Sequence, residues 1–317
     1  MSITESAKVE HRFLPSLNES YTDGIIITII IDCYFGLNYI KKSIESVHRQ
    51  EYRNVELIIV NNGANIEISK YLEDIYAKSK NTALVIFKEN QFSWDDTEIT
   101  NAICWNAALI HCRGEIVSHL SYDDMYSANY AGKMAKLFNE NPGCMTAQPL
   151  VVSINSSGDI NKNSNFLLHN NRPRYKEGKQ VALDFIQGSP KKMFSSPGGC
   201  LAIRKKLLLK YNGFEQGFDI FQLLKYGIFG DIGFDSGAIL YWRHHDKQTN
   251  RQLSDRGYID LRNYKRDIKQ SDIINIWKSV FSLHEVDLLK KYFKSELTKL
   301  PFKKVRYMVS HKNVFGV

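Results

Sequence analysis

The chain has 317 residues, 43% of them hydrophobic and 24% charged, the balance of an ordinary soluble globular protein and not of a disordered or fibrous one. The net charge of +8 is uneven: Tyr258 to Val317 carries thirteen Lys/Arg against six Asp/Glu. The front of the chain is thus nearly neutral, which speaks against a nucleic-acid partner and leaves an anionic surface only to the tail.

Residues 1–23 are polar, lack the apolar centre of a signal peptide and read as a flexible leader. Ile25-Ile-Ile-Thr-Ile-Ile-Ile31 follows, too short to cross a bilayer but continuous and β-branched, as a strand covered on both faces would be. Asp32-Cys-Tyr-Phe-Gly36 ends it. Ile40, Ile44 and Val47 then repeat at helical spacing, with Lys41, Lys42 and Glu45 outward. Val55–Val60 is a second strand stopping at Asn61-Asn62-Gly63, residues 65–79 a second helix, and Ala83–Phe87 a third strand. This alternation predicts a Rossmann-like sheet with right-handed crossovers, but no GxGxxG follows the first strand to support a dinucleotide site.

Asp95-x-x-Glu98 has the form of a capping box for a helix over 97–112, ended by Gly114. The apolar run Ile116–Leu120 then stops at two adjacent carboxylates, Asp123 and Asp124. A buried strand that delivers carboxylates to its C-terminal end places them where open α/β sheets bind ligands, and such a pair suits a divalent cation. Capping of the next helix, over 127–140, is the structural alternative for Asp124. Met145–Ile154 is a strand, 155–179 a polar surface loop, Gly198–Ile203 a strand and Lys205–Tyr211 a short helix. A turn at Asn212-Gly-Phe214, a helix over Phe218–Tyr226 and a last strand, Ile239–Trp242, lead to Arg243-His244-His245. From Asp255 the chain is helical and basic, with an apolar stripe at Ile273, Ile276, Trp277 and Val280. The five scattered cysteines, Cys33, Cys104, Cys112, Cys144 and Cys200, contain no CxxC and read as buried thiols of a cytoplasmic protein.

In order and spacing, four stretches resemble the nucleotide-sugar-dependent glycosyltransferases of family 2. They are Ile29–Phe35 with Tyr39–Val47 and Gln50-Glu-Tyr52, Glu56–Gly63, Asn106 through Gly114 to Asp124, and Ser196–Arg204 with Gly213-Phe214. The resemblance implies the GT-A fold: a mostly parallel central sheet flanked by helices over 24–254, with a nucleotide-sugar half (24–150) and an acceptor half (151–254). Residues 255–317 then form a basic helical extension. It implies an inverting transferase acting on a UDP-sugar donor and a carbohydrate or lipid-linked acceptor, in bacterial surface polysaccharide assembly. Asp32, Tyr34 and Asn62 fall on the family's nucleotide positions. Asp123 falls on its DXD motif, as ligand of Mn²⁺ or Mg²⁺ on the diphosphate, with His245 completing the metal site. Asp219 lies nearest the catalytic base, with Asp231 and Asp235 as alternatives.

Several positions depart from the family pattern. The first DXD aspartate is Ser121, the acidic turn after the second strand is Asn61-Asn62, and the usual proline after the first strand is Asp32. These departures keep a degenerate, non-catalytic glycan-binding module open as a second reading. A sugar nucleotidyltransferase is a third, although it lacks a glycine-rich phosphate loop between Asp32 and Lys42. The basic tail fits either peripheral attachment to anionic lipid at the inner face of the cytoplasmic membrane or a homodimer contact through the Ile273–Val280 stripe.

Overall fold

The structure, a computed structural model, describes residues 3–93, 97–161, 172–186, 201–214, 219–248 and 273–299. Its centre is a mixed sheet. The chain enters through a one-turn helix α1 (Ile3–Ser6) and β1 (His11–Leu14), and then alternates β2 (Ile27–Cys33), α2 (Leu37–His48), β3 (Val55–Asn62), α3 (Ile66–Lys78), β4 (Thr82–Phe87), α4 (Thr97–Leu109) and β5 (Ile116–Ser121). A two-residue strand β6 (Met125–Tyr126) precedes α5 (Tyr130–Glu140) and β7 (Cys144–Ile154). The rest is β8 (Tyr175–Glu177), α6 (Gly178–Ile186), β9 (Ala202–Arg204), α7 (Lys205–Lys210), α8 (Asp219–Tyr226), β10 (Asp231–Arg243), α9 (Ile273–Lys278) and α10 (Leu283–Lys299).

The strand order is β1-β4-β3-β2-β5-β9-β7-β10-β6, with β8 also on β10. Strands β4, β3, β2 and β5 are parallel; β9 runs antiparallel to both β5 and β7, and β7 is parallel to β10. β2, β3, β5, β7 and β10 therefore all end at the same edge. The chain leaves β2 toward β3 and β4, and then returns to β5 on the other side, so the strand order reverses there. That is the point at which α/β sheets open a ligand crevice.

Every residue of β2 is buried, as its unbroken β-branched run requires. Two apolar cores cover the two faces. Ile40, Ile44 and Val47 of α2, Ile68 and Leu72 of α3, and Met134 and Phe138 of α5 line one. Ile103 and Ala107 of α4, Leu208 of α7 and Leu223 of α8 line the other. α2 starts directly after the strand because Gly36 takes the left-handed conformation (φ 80°). α3 is capped by Asn65, whose side chain accepts the Ile68 N–H.

Several expectations are corrected. The supposed leader contributes β1, antiparallel to β4 from His11↔Phe87 to Leu14↔Leu84, so residues 11–14 close the sheet's edge. Polar residues are compatible with an edge strand because one of its faces meets solvent. The stretch read as a surface loop over 155–179 contains β8 and the first turn of α6. β10 begins at Asp231, well before Ile239, because glycines and aspartates in Asp231–Gly237 hide its alternation. At Ile276 and Trp277 the apolar stripe of the tail faces inward. Ile276, Trp277 and Phe281 pack with Leu224 and Ile228, and the Trp277 indole donates to the Leu224 carbonyl (3.1 Å). Residues 249–272 and 300–317, which include much of the basic extension, lie outside the described residues, as do Trp94, Asp95 and Ser196–Cys200. Among the described residues no helix is long and apolar enough to cross a membrane, and Cys33, Cys104, Cys112 and Cys144 are free, buried thiols.

Trp277→Ala removes a fully buried indole and its hydrogen bond. A stability loss of about 3–5 kcal/mol is expected, read as a lower urea midpoint; a loss under about 1 kcal/mol would show that α9 is not docked on α8.

Candidate active site

The shared strand edge gathers residues that are distant in sequence. After Asp124 the chain pairs Met125 with Tyr241 and Tyr126 with Leu240, so β6 ties the acidic tip of β5 to the end of β10. Asp123 then meets His245, with Asp123 Oδ2 2.9 Å from His245 Nε2, both side chains nearly buried. The His245 ring lies 4.6 Å from that of Tyr39 on α2. Asp124 faces inward, its Oδ1 accepting the Arg243 N–H at 2.8 Å.

Arg243 organises this corner, and nothing in its sequence context distinguishes it from a surface arginine. It is fully buried. Nε donates to the Asp123 carbonyl (2.7 Å), and one terminal nitrogen donates to the Asn155 and Ser156 carbonyls (3.2 and 3.1 Å). The guanidinium lies 5.2 Å from the Tyr39 ring centroid, within cation–π range. Burial lowers its pKa, opposed by the charges of Asp124 and Asp123.

Asp32 ends β2 one strand away, buried, with its Oδ1 accepting the Trp105 indole N–H at 3.0 Å. Burial pushes its carboxyl up to about 6, with the Trp105 bond pulling down and the Asp123 charge adding to the rise. Tyr34 is half-buried beside Phe92, with ring centroids 5.4 Å apart and 20° between planes. Asn62 is fully buried; its Oδ1 accepts the Gln91 N–H at 2.9 Å, and its Nδ2 has no partner among the described residues. The neighbouring Asn61 is structural: Nδ2 donates to Ser69 and Oδ1 accepts from Ala64 N, both at 3.0 Å, which holds the turn into α3.

The three candidate bases separate. Asp219 opens α8, on the sheet face that also carries α4, although its side chain lies outside the described positions. Asp231 sits at the opposite edge. Its ladder partner Cys144 and the partner of Arg243, Ile154, bound a β7 stretch roughly 30 Å long. It accepts from Asn141 Nδ2 at 2.7 Å. Asp235 is ion-paired with Arg174 (3.0 Å). Neither reaches the Asp123 corner, so both are set aside as bases; the sequence could not show that β10 is long enough to carry them away.

Asp123 and His245 are side chains of types that ligate divalent cations, joined here by a hydrogen bond of 2.9 Å. Among the described residues no group of three His, Cys, Asp or Glu side chains converges on a metal.

Asn106 is structural, bridging the two halves. Its Nδ2 donates to the Phe214 carbonyl (3.1 Å) and its Oδ1 accepts the Phe214 N–H (2.6 Å). Gly213 (φ 88°) passes so close that a side chain there would collide with Asn106 Oδ1. His119, also missed by sequence reasoning, lies under Trp105 with ring centroids 3.7 Å apart. Among the described residues neither of its buried ring nitrogens has a partner, and burial lowers its pKa to about 3.

The fold is that of the GT-A glycosyltransferases. The family model for glycosyl transferase family 2 matches residues 28–210, more than half of the chain, and the chain belongs to that family. It is 29% identical over 115 residues to the uncharacterized glycosyltransferase RP339 of Rickettsia prowazekii, which covers 36% of this chain. The chain spans about a third (32%) of the length of that curated relative. Among solved structures, Staphylococcus aureus TarS 1-349 in complex with UDP-GlcNAc superposes with a TM-score of 0.61, at 12% identity, over 91% of this chain and 75% of that one. The mannosyltransferase PcManGT of Pyrobaculum calidifontis, in complex with GDP-Man and Mn²⁺, gives 0.52 at 14% identity over 93% and 88%.

Two outcomes are expected. Arg243→Lys cannot reproduce a planar fork spread over three carbonyls, so stability falls by about 3 kcal/mol and nucleotide binding weakens with it; wild-type values for both would remove Arg243 from its organising role. His119 titrates near 3 in the folded chain and near 6.5 when unfolded. The unfolded chain therefore takes up the proton first as pH falls, and stability is lost between those two values. By pH 5 this costs about 2 kcal/mol, so His119→Phe should lose less stability than wild type between pH 7 and pH 5 in denaturation curves; parallel pH profiles would refute it.

Proposed function

We propose that the protein is an inverting glycosyltransferase that moves a sugar from a nucleoside diphosphate donor, a UDP-sugar in the first instance, to a hydroxyl of a carbohydrate or lipid-linked acceptor in bacterial surface polysaccharide assembly. The observation that carries this reading is the 2.9 Å meeting of Asp123 and His245 at the sheet's ligand-binding edge. The solved complexes of TarS with UDP-GlcNAc and of PcManGT with GDP-Man and Mn²⁺ support a nucleotide-sugar donor and a divalent cation.

Asp123 and His245 would hold Mn²⁺ or Mg²⁺, which when bound supplies a charge sink for the departing diphosphate. Ligation through Nε2 requires the imidazole to be neutral there. Arg243 adds a fixed positive charge behind Asp123 and keeps its main chain in place. Tyr34 and Asn62, at the ends of β2 and β3, take the nucleoside. Asp219 removes the proton from the acceptor hydroxyl as that oxygen attacks from the side opposite the leaving group. The basic residues of 255–317 would rest on anionic lipid at the inner face of the cytoplasmic membrane, where a lipid-linked acceptor is presented.

The test is calorimetric titration of UDP, GDP and dTDP in the presence of Mn²⁺. At least one should bind, and Asp123→Ala should weaken it about tenfold or more. Asp219→Asn should lower kcat by roughly 10²–10⁴-fold with little change in nucleotide affinity. No nucleotide binding, or binding indifferent to Asp123→Ala, would overturn the reading.

A further inference from the structure

We infer that Trp277 is a positioning residue for the transfer: from the tail helix α9 its indole fixes the last turn of α8, the helix that opens with Asp219. The inference concerns a part of the chain beyond the family match, which ends at residue 210, and it rests on the reading of Asp219 as the base.

α8 has only eight residues, Asp219–Tyr226, and isolated helices shorter than about 12 residues are marginal in water. Packing must supply what local propensity does not. Toward the sheet, Leu223 and Tyr226 join the core shared with α4 and α7, and the Tyr226 hydroxyl donates to the Gly213 carbonyl. Away from it, Leu224 packs in a separate cluster with Ile276, Trp277 and Phe281, to which α10 adds Val286 and Leu289.

The indole adds a directed contact to that packing. The last four carbonyls of a helix lack intrahelical donors. Trp277 Nε1–H donates to one of them, that of Leu224, at 3.1 Å. Trp277 is fully buried, and its ring is stacked on Phe281 with centroids 4.0 Å apart and 10° between planes. The donor is therefore held on its acceptor. α6 braces the same arrangement: the Lys179 ammonium lies 4.9 Å from the Phe281 ring centroid and 3.5 Å from the Glu285 carboxylate. Packing alone asks only for a large apolar side chain at 277; the N–H is what reaches the carbonyl.

Catalysis is sensitive to such support. A base must sit within hydrogen-bond reach of the proton it takes, and a misplacement of about 1 Å can cost about a hundredfold in rate. Helix formation is cooperative, so loosening the last turn of an eight-residue helix loosens its first turn, where Asp219 lies. The donor corner draws on β2, β5, β10 and α2. Among the described residues none from those elements belongs to the cluster around Trp277. The effect therefore falls on turnover and not on donor affinity.

The test uses the full chain carrying Trp277→Phe, which keeps an aromatic ring and removes the N–H. Amide hydrogen exchange should quicken about tenfold or more over residues 219–226 and keep its wild-type rate in β5. Turnover is read as release of UDP or GDP from UDP-glucose, UDP-GlcNAc and GDP-mannose, with Mn²⁺ present and water as acceptor. It should fall about tenfold or more, while the calorimetric affinity for UDP or GDP stays within about twofold. In an Asp219→Asn background the same substitution should cost less than about twofold further, because a base already removed cannot be displaced. Unchanged exchange in α8 overturns the inference without any activity measurement. Faster exchange with wild-type turnover also overturns it, as does a loss that persists in full beside Asp219→Asn. If Trp277→Phe fails to fold, Phe281→Leu, which removes the stacked ring and leaves the indole N–H, is read by the same measurements with the same outcomes. Wild-type turnover in Asp219→Asn removes the reading of Asp219 as the base and takes this inference with it.

Discussion

A buried guanidinium that, among the described residues, makes no side-chain ion pair at hydrogen-bond distance is the constraint on which the functional corner depends. Arg243 joins segments 120 residues apart by donating to the main-chain carbonyls of Asp123, Asn155 and Ser156. Burying a cation is expensive, and several well-placed carbonyl acceptors with two nearby carboxylates offset the cost. The geometry is therefore demanding, because displacing Asp123, Asn155 or Ser156 would cost the charge an acceptor. Asp123 and its hydrogen-bond partner His245 inherit that rigidity.

The second organising element is α4. Its consecutive residues Trp105 and Asn106 reach in two directions, the indole to Asp32 at the donor side and the amide to the Phe214 turn before α8. The His119 ring packs against both Trp105 and Phe214. One helix thus sets the relation between the end of β2 and the turn that precedes α8. The cost is an imidazole kept neutral in an apolar space, with neither nitrogen bonded.

Departures from the family pattern have different physical meanings once contacts are known. Asn61 is a turn residue whose amide is fully used. Asn62 has committed its oxygen to Gln91, and among the described residues its amide nitrogen has no partner. Ser121 and Asp32 are ladder partners, so the two departures stand side by side at one strand end. A reading of motifs position by position counts these as losses, because it cannot see which residues of neighbouring strands stand side by side.

The alternation of β-branched runs and helical stripes determined the front half of the sheet, since buried parallel strands must be apolar throughout and their covering helices amphipathic. It also determined that Asp123 and Asp124 end a buried strand, and the ordered motifs determined the family. Only the tertiary structure decided that residues 11–14 are an edge strand, that the stripe at Ile276 and Trp277 faces inward, that Asp231 and Asp235 lie away from the cleft and that Arg243 is buried. Each of these follows from strand pairing or packing between distant segments. Local periodicity carries no record of such pairing, because a side chain's burial is set by the segment that comes to lie against it and not by its neighbours in the chain.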